Sequence, residues 1–512
     1  MVRNSLGRLV PEIFNNQARS PYGDPFSLQP TGQRASRALR RVNPGYNKVL
    51  ASLKEAIIAS GLKDGMCIST HHHLRNGDML LNMVMRVIDS LNIRDITIAS
   101  TSIHPVHAEL IPYIKSGTIR GFECGVNGLI GEMASKGEIS CPIIVRTHGG
   151  RARAMSTGEI KVDVAFIAAP QCDRYGNMNG YYGPSACGSL GYAHLDAEYA
   201  HCVIAVTDNL HDYPVSPISI AQTQVDYVVQ VEKLGDSSKI VSTTTRVTKD
   251  PVGLMIAKYA SDVIETAGLI KDGFSFQTGA GGTSLAVADN VRKKMLAAGV
   301  KGSFGSGGIT SYFVDMLEQG LFDTLFDVQC FDLEAVQSIG RNMKHLEISA
   351  DMYANPFNSG AVVNQLDAVI LGATEVDVDF NVNVNTESNG YLLHNTGGHS
   401  DTAAGAKLSI ITVPSIRGRL PIVRDAVTTI TTPGETVDVI VTERGIAVND
   451  QHPELKKELI KRKLPVKDIR QLQQEIVAMT GVPKPLEFED DIVAVIEYRD
   501  GTIIDSVRRV KE

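Results

Sequence analysis

One local pattern is written twice in this chain of 512 residues. Residues 53–66 read Leu-Lys-Glu-Ala-Ile-Ile-Ala-Ser-Gly-Leu-Lys-Asp-Gly-Met and run into the apolar stretch Cys67–Thr70. Residues 260–274 read Ala-Ser-Asp-Val-Ile-Glu-Thr-Ala-Gly-Leu-Ile-Lys-Asp-Gly-Phe and run into Ser275–Thr278. Each copy is an amphipathic helix, a glycine stop, a Lys-Asp-Gly turn and an apolar strand. A Gly- or His-rich turn and another helix follow in both. Such an echo constrains the chain to two related α/β halves, which usually place an active site where they meet.

The length gives each half room for its own core. Short apolar strands are expected at Ile96–Ser100, Pro142–Arg146, Val162–Ala168, Cys202–Val206 and Tyr227–Val231. In the second half they are expected at 274–278, Gly302–Phe304, Ala368–Leu371, Ser409–Val413, Val437–Thr442 and Ile492–Tyr498, with helices over 252–266 and 284–298. Near-continuous apolar strands separated by helices imply mainly parallel sheets covered on both faces. The polar stretch Gly235–Asp250 reads as a linker. The expected organisation is therefore an N-terminal arm over 1–45, a first domain over 46–240 and a second over 251–512.

Net charge is −7, so no global field favours nucleic acid. The charge is uneven: residues 1–50 carry eight Lys or Arg against Glu12 and Asp24, a balance of +6. Two readings fit that arm, a solvated extension or a segment docking on an acidic partner. No apolar run of about 18 residues suggests a membrane span, and no apolar core marks a secretory leader. Seven scattered cysteines without Cys-x-x-Cys point to reduced thiols in the cytoplasm.

Several segments have the composition of a site. Gln277-Thr278-Gly279-Ala280-Gly281-Gly282-Thr283-Ser284 is a strand entering a glycine turn and a helix, where backbone N–H groups can hold negative charge. Ser284 stands where a dinucleotide-binding pattern needs its third glycine. Asn395-Thr396-Gly397-Gly398-His399-Ser400-Asp401 offers a second close backbone approach, with Asp401 able to cap a helix. His71-His72-His73-Leu74-Arg75 occupies in the first half the place of the glycine turn in the second. Adjacent histidines in a tight turn suit an anion better than a metal. Arg151 lies in Thr147–Arg153, and an arginine fork matches carboxylates.

Ordered motifs then identify a family. Asp367-Ala-Val-Ile-Leu-Gly-Ala-Thr-Glu375-Val-Asp377, Gly397-Gly-His-Ser-Asp401, Thr431-Thr-Pro433 and Ile440-Val-Thr-Glu-Arg-Gly-Ile-Ala447 resemble the C-terminal half of the acyl-CoA hydrolase/CoA-transferase superfamily. Pro170-Gln-Cys-Asp173-Arg-Tyr-Gly-Asn177 resembles its first-half P-x-x-D-x-x-G-N. Over about 46–512 the chain is most similar to the family of citrate lyase alpha subunits. The resemblance implies two tandem CoA-transferase-type α/β domains and an acyl exchange: acetyl thioester of an acyl carrier protein plus citrate gives citryl thioester plus acetate. It implies a beta subunit, a gamma subunit bearing a CoA-like prosthetic arm, a homo-oligomeric arrangement as well, and no cofactor or metal on this chain itself.

Related transferases use a glutamate nucleophile, and aligning Val314–Gly320 with the family puts that position at Gly307. Glycine cannot attack a thioester, so the substrate's own carboxylate is expected to do so through a mixed anhydride. Gly279, Gly281, Gly282, Gly307 and Gly308 are then expected to admit the reacting carbonyl. Gly397, Gly398 and Asp401 would face the prosthetic arm, and His72, His73, Arg75 and Arg151 would hold citrate. Glu387, in Thr386-Glu-Ser-Asn-Gly390, resembles another branch's nucleophile segment and is the competing candidate. An acyl-CoA transferase or thioesterase using free CoA is the alternative activity.

Overall fold

The computed structural model describes residues 1–26, 46–241 and 246–511. Parts of the expected arm (27–45) and linker (242–245) lie outside the described residues. Both copies of the repeated pattern form as written. The first helix, Leu53–Ser60, stops at Gly61 in a left-handed conformation, and Gly65 turns the chain into the next strand. The second, Pro251–Thr266, is followed by Gly268 and Gly273, both at positive φ. These turns need backbone angles that other residues adopt only with strain.

The first half supplies β1 (Val49–Leu50), β2 (Cys67–Ser69), β3 (Ile96–Ile98), β4 (Ile119–Phe122), β5 (Ile143–Val145), β6 (Val164–Ala168), β7 (Cys202–Thr207) and β8 (Tyr227–Gln230). The second supplies β9 (Ser275–Thr278), β10 (Gly302–Ile309), β11 (Phe322–Cys330), β12 (His345–Glu347), β13 (Ala368–Gly372), β14 (Ser409–Thr412), β15 (Val439–Thr442) and β16 (Gly445–Val448). A last hairpin is β17 (Phe488–Glu497) and β18 (Ile503–Val510).

One sheet runs β18-β17-β5-β4-β3-β2-β6-β7-β8-β1 and the other β12-β11-β10-β9-β13-β14-β15-β16. Only the pairs β17–β18 and β15–β16 are antiparallel. The expected α/β class with mainly parallel sheets is what forms. Every residue of β6 and β7 is buried, as their unbroken apolar runs require when helices cover both faces.

The duplication extends to wiring. In each sheet the chain moves outward from one strand, then returns beside it: β2 to β5 and back at β6, β9 to β12 and back at β13. Asp163 Oδ2 accepts from Cys67 N at 2.8 Å, and Asp367 Oδ2 accepts from Ser275 N at 2.9 Å, each tying the returning strand to the starting one. Asp173 accepts from the backbone N–H groups of Tyr175, Gly176, Asn177 and Val215, and from the Asn177 side chain. Asp377 does the same with Asp379, Asn381, Val427 and the Asn381 side chain. The P-x-x-D-x-x-G-N and Glu375–Asp377 motifs are thus equivalent turns of the two halves.

One boundary needs correction. The second unit does not keep residues through 512, because β17 pairs in parallel with β5 of the first sheet. The described arm packs on that hairpin: Tyr22 N donates to Ile503 O and Asn4 Nδ2 to Ile504 O. Arg8 faces Asp505 at 3.5 Å, and Arg19 faces Glu497 at 3.6 Å. These two arm cations are thus engaged with acids of the chain's own C-terminal hairpin.

Candidate active site between the two halves

Both sheets reverse direction at a parallel pair, β2/β6 and β9/β13. Loops leaving the carboxyl ends of such pairs form the crevice that α/β sheets use for ligands. The turn after β9 and the turn before the helix His399–Gly405 are fastened to the same strand end. Gly279 N donates to Ile370 O, and His399 Nε2 lies 2.9 Å from Gly372 O.

The glycines there are not equivalent. Gly281 caps the helix Gly282–Ala298 without a side-chain hydrogen bond, and a methyl group added to it would meet nothing within 4 Å. Gly279 is similarly open, its nearest contact being Ser284 Oγ at 3.6 Å. Gly282 is held by packing, since a Cβ would stand 2.7 Å from Arg246 O. Gly307 has φ +98° at a bulge in β10, and a Cβ would lie 2.6–2.9 Å from the Gln277 carboxamide. Gly308 is capped by the Phe331 ring, 1.9 Å from where its Cβ would be. The turn is therefore open in space at Gly279 and Gly281, while 282 and 308 are glycine for packing reasons.

The first half brings imidazoles to the same place. Gln329 Nε2 of the second half donates to His72 O at 3.1 Å. The His72 ring lies 5.9 Å from His148, 5.4 Å from His104 and 5.0 Å from Tyr192, centroid to centroid, and His73 lies 5.6 Å from Tyr192. Burial, reinforced by neighbouring imidazoles, holds His72 and His73 well below the ordinary histidine range and His104 at about 3; burial and the nearby Arg151 guanidinium hold His148 at about 3. All four rings are neutral near pH 7. Arg75 is the charge among them: half-buried, over the Phe331 ring at 5.0 Å, and without an ion pair among the described residues.

Two tyrosines that no local motif flags complete the cleft. Tyr192 is 4.5 Å from His148 between ring centroids. Tyr353 Oη accepts from Gln277 Nε2 at 2.9 Å and lies 2.4 Å from where a Gly398 Cβ would be. Burial pushes both phenols well up, so each keeps its proton. Gly397, at φ +63°, joins the halves: His148 N donates to its carbonyl at 2.9 Å.

Three expected site residues have other engagements. Arg151 is buried and forks onto Asp196 at 2.9 and 3.2 Å, with further bonds to Ser69 and Ala99; its guanidinium is already committed to the protein. Asp401 is fully buried, accepting from Thr147 Oγ1 and Gly149 N at 2.9 Å with Arg499 at 3.7 Å. It clasps the start of the helix His148–Ser156. Its carboxyl is raised to about 6 by burial, against the pull of Arg499. Glu387 is an exposed turn residue whose backbone bonds to Tyr391 and Gly390.

Among the described residues one buried group has metal-ligating chemistry: Asp327, Cys330 and His345, whose ligand atoms lie within 4.8 Å of one another. Cys330 Sγ and His345 Nε2 each sit 2.9 Å from Asp327 Oδ2, so the trio is joined by hydrogen bonds. No helix among the described residues is long and apolar enough to cross a membrane.

A family model described as citrate lyase, alpha subunit, matches residues 46–510. The chain is 49% identical to the citrate lyase alpha chain of Klebsiella pneumoniae over 465 residues, covering 91% of this chain and 92% of that one. It superposes with TM-score 0.96 and 47% identity on a crystal structure from Streptococcus mutans assigned as the alpha subunit of citrate lyase in complex with citrate, covering 99% and 100% of the two chains. A Pseudomonas malonate decarboxylase hetero-tetramer in complex with malonate shares the fold at TM-score 0.63 and 16% identity, over 85% of this chain and 84% of that one.

Proposed function

Because this chain belongs to the citrate lyase alpha subunit family, we propose that it exchanges acetyl for citryl on the thiol of an acyl carrier protein. Acetyl thioester and citrate become citryl thioester and acetate. A beta subunit would then cleave the citryl thioester, and a gamma subunit would carry the thiol on a CoA-like arm, the complex working in the cytoplasm. The observation that carries this reading is the meeting, in one cleft, of Arg75, which has no ion pair among the described residues, with neutral imidazoles and a glycine at 307 where a nucleophilic glutamate would stand. The citrate in the Streptococcus mutans relative supports the choice of acid.

Arg75 and the rings of His72 and His73 would hold the tricarboxylate, and the open turn at Gly279–Gly281 suits a slender thioester. The arm supplies the thiol on which the acyl group travels. A citrate carboxylate attacks the acetyl carbonyl and the thiolate leaves, giving an acetyl–citryl anhydride. The thiolate then attacks the citryl carbonyl and acetate departs. The chain's part is to orient the partners, worth roughly 7–11 kcal/mol when geometry is tight, and to present backbone donors to the oxyanion.

Mass spectrometry of acetate released from acetylated carrier protein tests this. Release should require citrate. Release that ignores citrate, or that runs much faster from free acetyl-CoA than from the carrier, would overturn it, the latter in favour of a transferase or thioesterase using free CoA. Borohydride or hydroxylamine trapping should leave Glu387 unmodified; a modified Glu387 would end the direct-attack step.

A further inference from the structure

The Gln277 carboxamide is a buried group of the cleft that is only half satisfied. It sits at the carboxyl end of β9, 7% exposed, in the space a side chain at Gly307 would need. Its Nε2 donates to Tyr353 Oη at 2.9 Å, while Oε1 has no partner. Tyr353 is itself wedged against Gly398, which holds its hydroxyl beside the amide. A buried carbonyl oxygen left without a donor costs free energy, and a substrate hydroxyl would remove that cost.

Resting on the exchange proposed above, we propose that Gln277 selects the hydroxylated acid by accepting a hydrogen bond from the citrate hydroxyl, with Tyr353 as its positioning residue. A charged carboxylate at this place would repel the tricarboxylate. An aliphatic residue would not tell citrate from its deoxy analogue. A site that bonds a hydroxyl rejects the analogue lacking it far more strongly than an apolar pocket rejects an added one.

The test compares citrate with tricarballylate, which lacks only the hydroxyl, in acetate release from acetylated carrier protein by the full chain. The wild-type chain should favour citrate by about 100-fold or more in kcat/KM, and Gln277→Met should bring the two acids to within about threefold. Tyr353→Phe should lower the preference part of the way. Each ratio is internal to one variant, so a partly folded preparation does not blur it. A wild-type chain indifferent to the hydroxyl, or a Gln277→Met variant that keeps the preference, overturns the assignment. Lost rate with both acids at an unchanged ratio would also overturn it, pointing to a contact with the thiol arm instead. No release with either acid sinks the exchange reading and this one together.

Discussion

At the residue scale the chemistry is governed by burial more than by residue type. Asp401 was legible as a cap because Gly-Gly-His-Ser-Asp opens a helix, but the helix it serves belongs to the other half. Its folded carboxyl lies near 6, above the unfolded value of 3.8, so its contribution to stability is full below 3.8 and lost as pH rises through about 6. Comparing thermal unfolding of wild type and Asp401→Asn across that range should show the difference moving in the variant's favour and levelling above about 6. A difference independent of pH would remove the clasp's titration. Glu387→Gln should leave citrate-dependent acetate release within about twofold, as surface substitutions away from the chemistry do. Gly398→Ala forces the new methyl against the Tyr353 hydroxyl and should lower that release more than tenfold, at about 1.4 kcal/mol per decade. Arg151 shows the opposite lesson: a guanidinium with carboxylate-binding chemistry meets an internal partner, Asp196, that sequence spacing does not reveal.

At the element scale the strands that read clearly were those with continuous apolar runs. β10 was expected to end at Phe304 and continues to Ile309, because its glycines are chosen by neighbours and not by strand preference. Phe313 stands over Gly305, Gln277 over Gly307 and Phe331 over Gly308. β11 and β12 were missed since their polar residues, Asp327 and His345, satisfy each other inside the fold. The paired aspartates Asp163 and Asp367 are a prediction at this scale. Each holds the first N–H of a starting strand, so Asp163→Ala and Asp367→Ala should each cost about 1–3 kcal/mol in denaturant unfolding. A large cost in one half and none in the other would show that the two anchors are not equivalent.

At the scale of the whole molecule the C-terminal hairpin binds the ends of the chain together. Glu497 on β17 is fully buried and meets Arg146 at 2.9 Å, Arg153 at 3.0 Å and the arm's Arg19 at 3.6 Å. Removing the carboxylate leaves the three guanidinium groups to share Glu123 and Glu159, so Glu497→Ala should cost about 1–3 kcal/mol in denaturant unfolding. A cost under about 1 kcal/mol would mean that the cluster behaves as an exposed pair. The sequence by itself determined two α/β halves, their strand–turn–helix units and the glycine and histidine turns that follow the first strand of each repeat, because apolar periodicity and turn chemistry act between near neighbours. Only the tertiary structure decided which glycines are open, which cations find ion pairs, and that the last hairpin crosses to the first sheet. Those outcomes depend on atoms hundreds of residues apart meeting in a dry interior, where a partner's presence or absence sets the charge and the space.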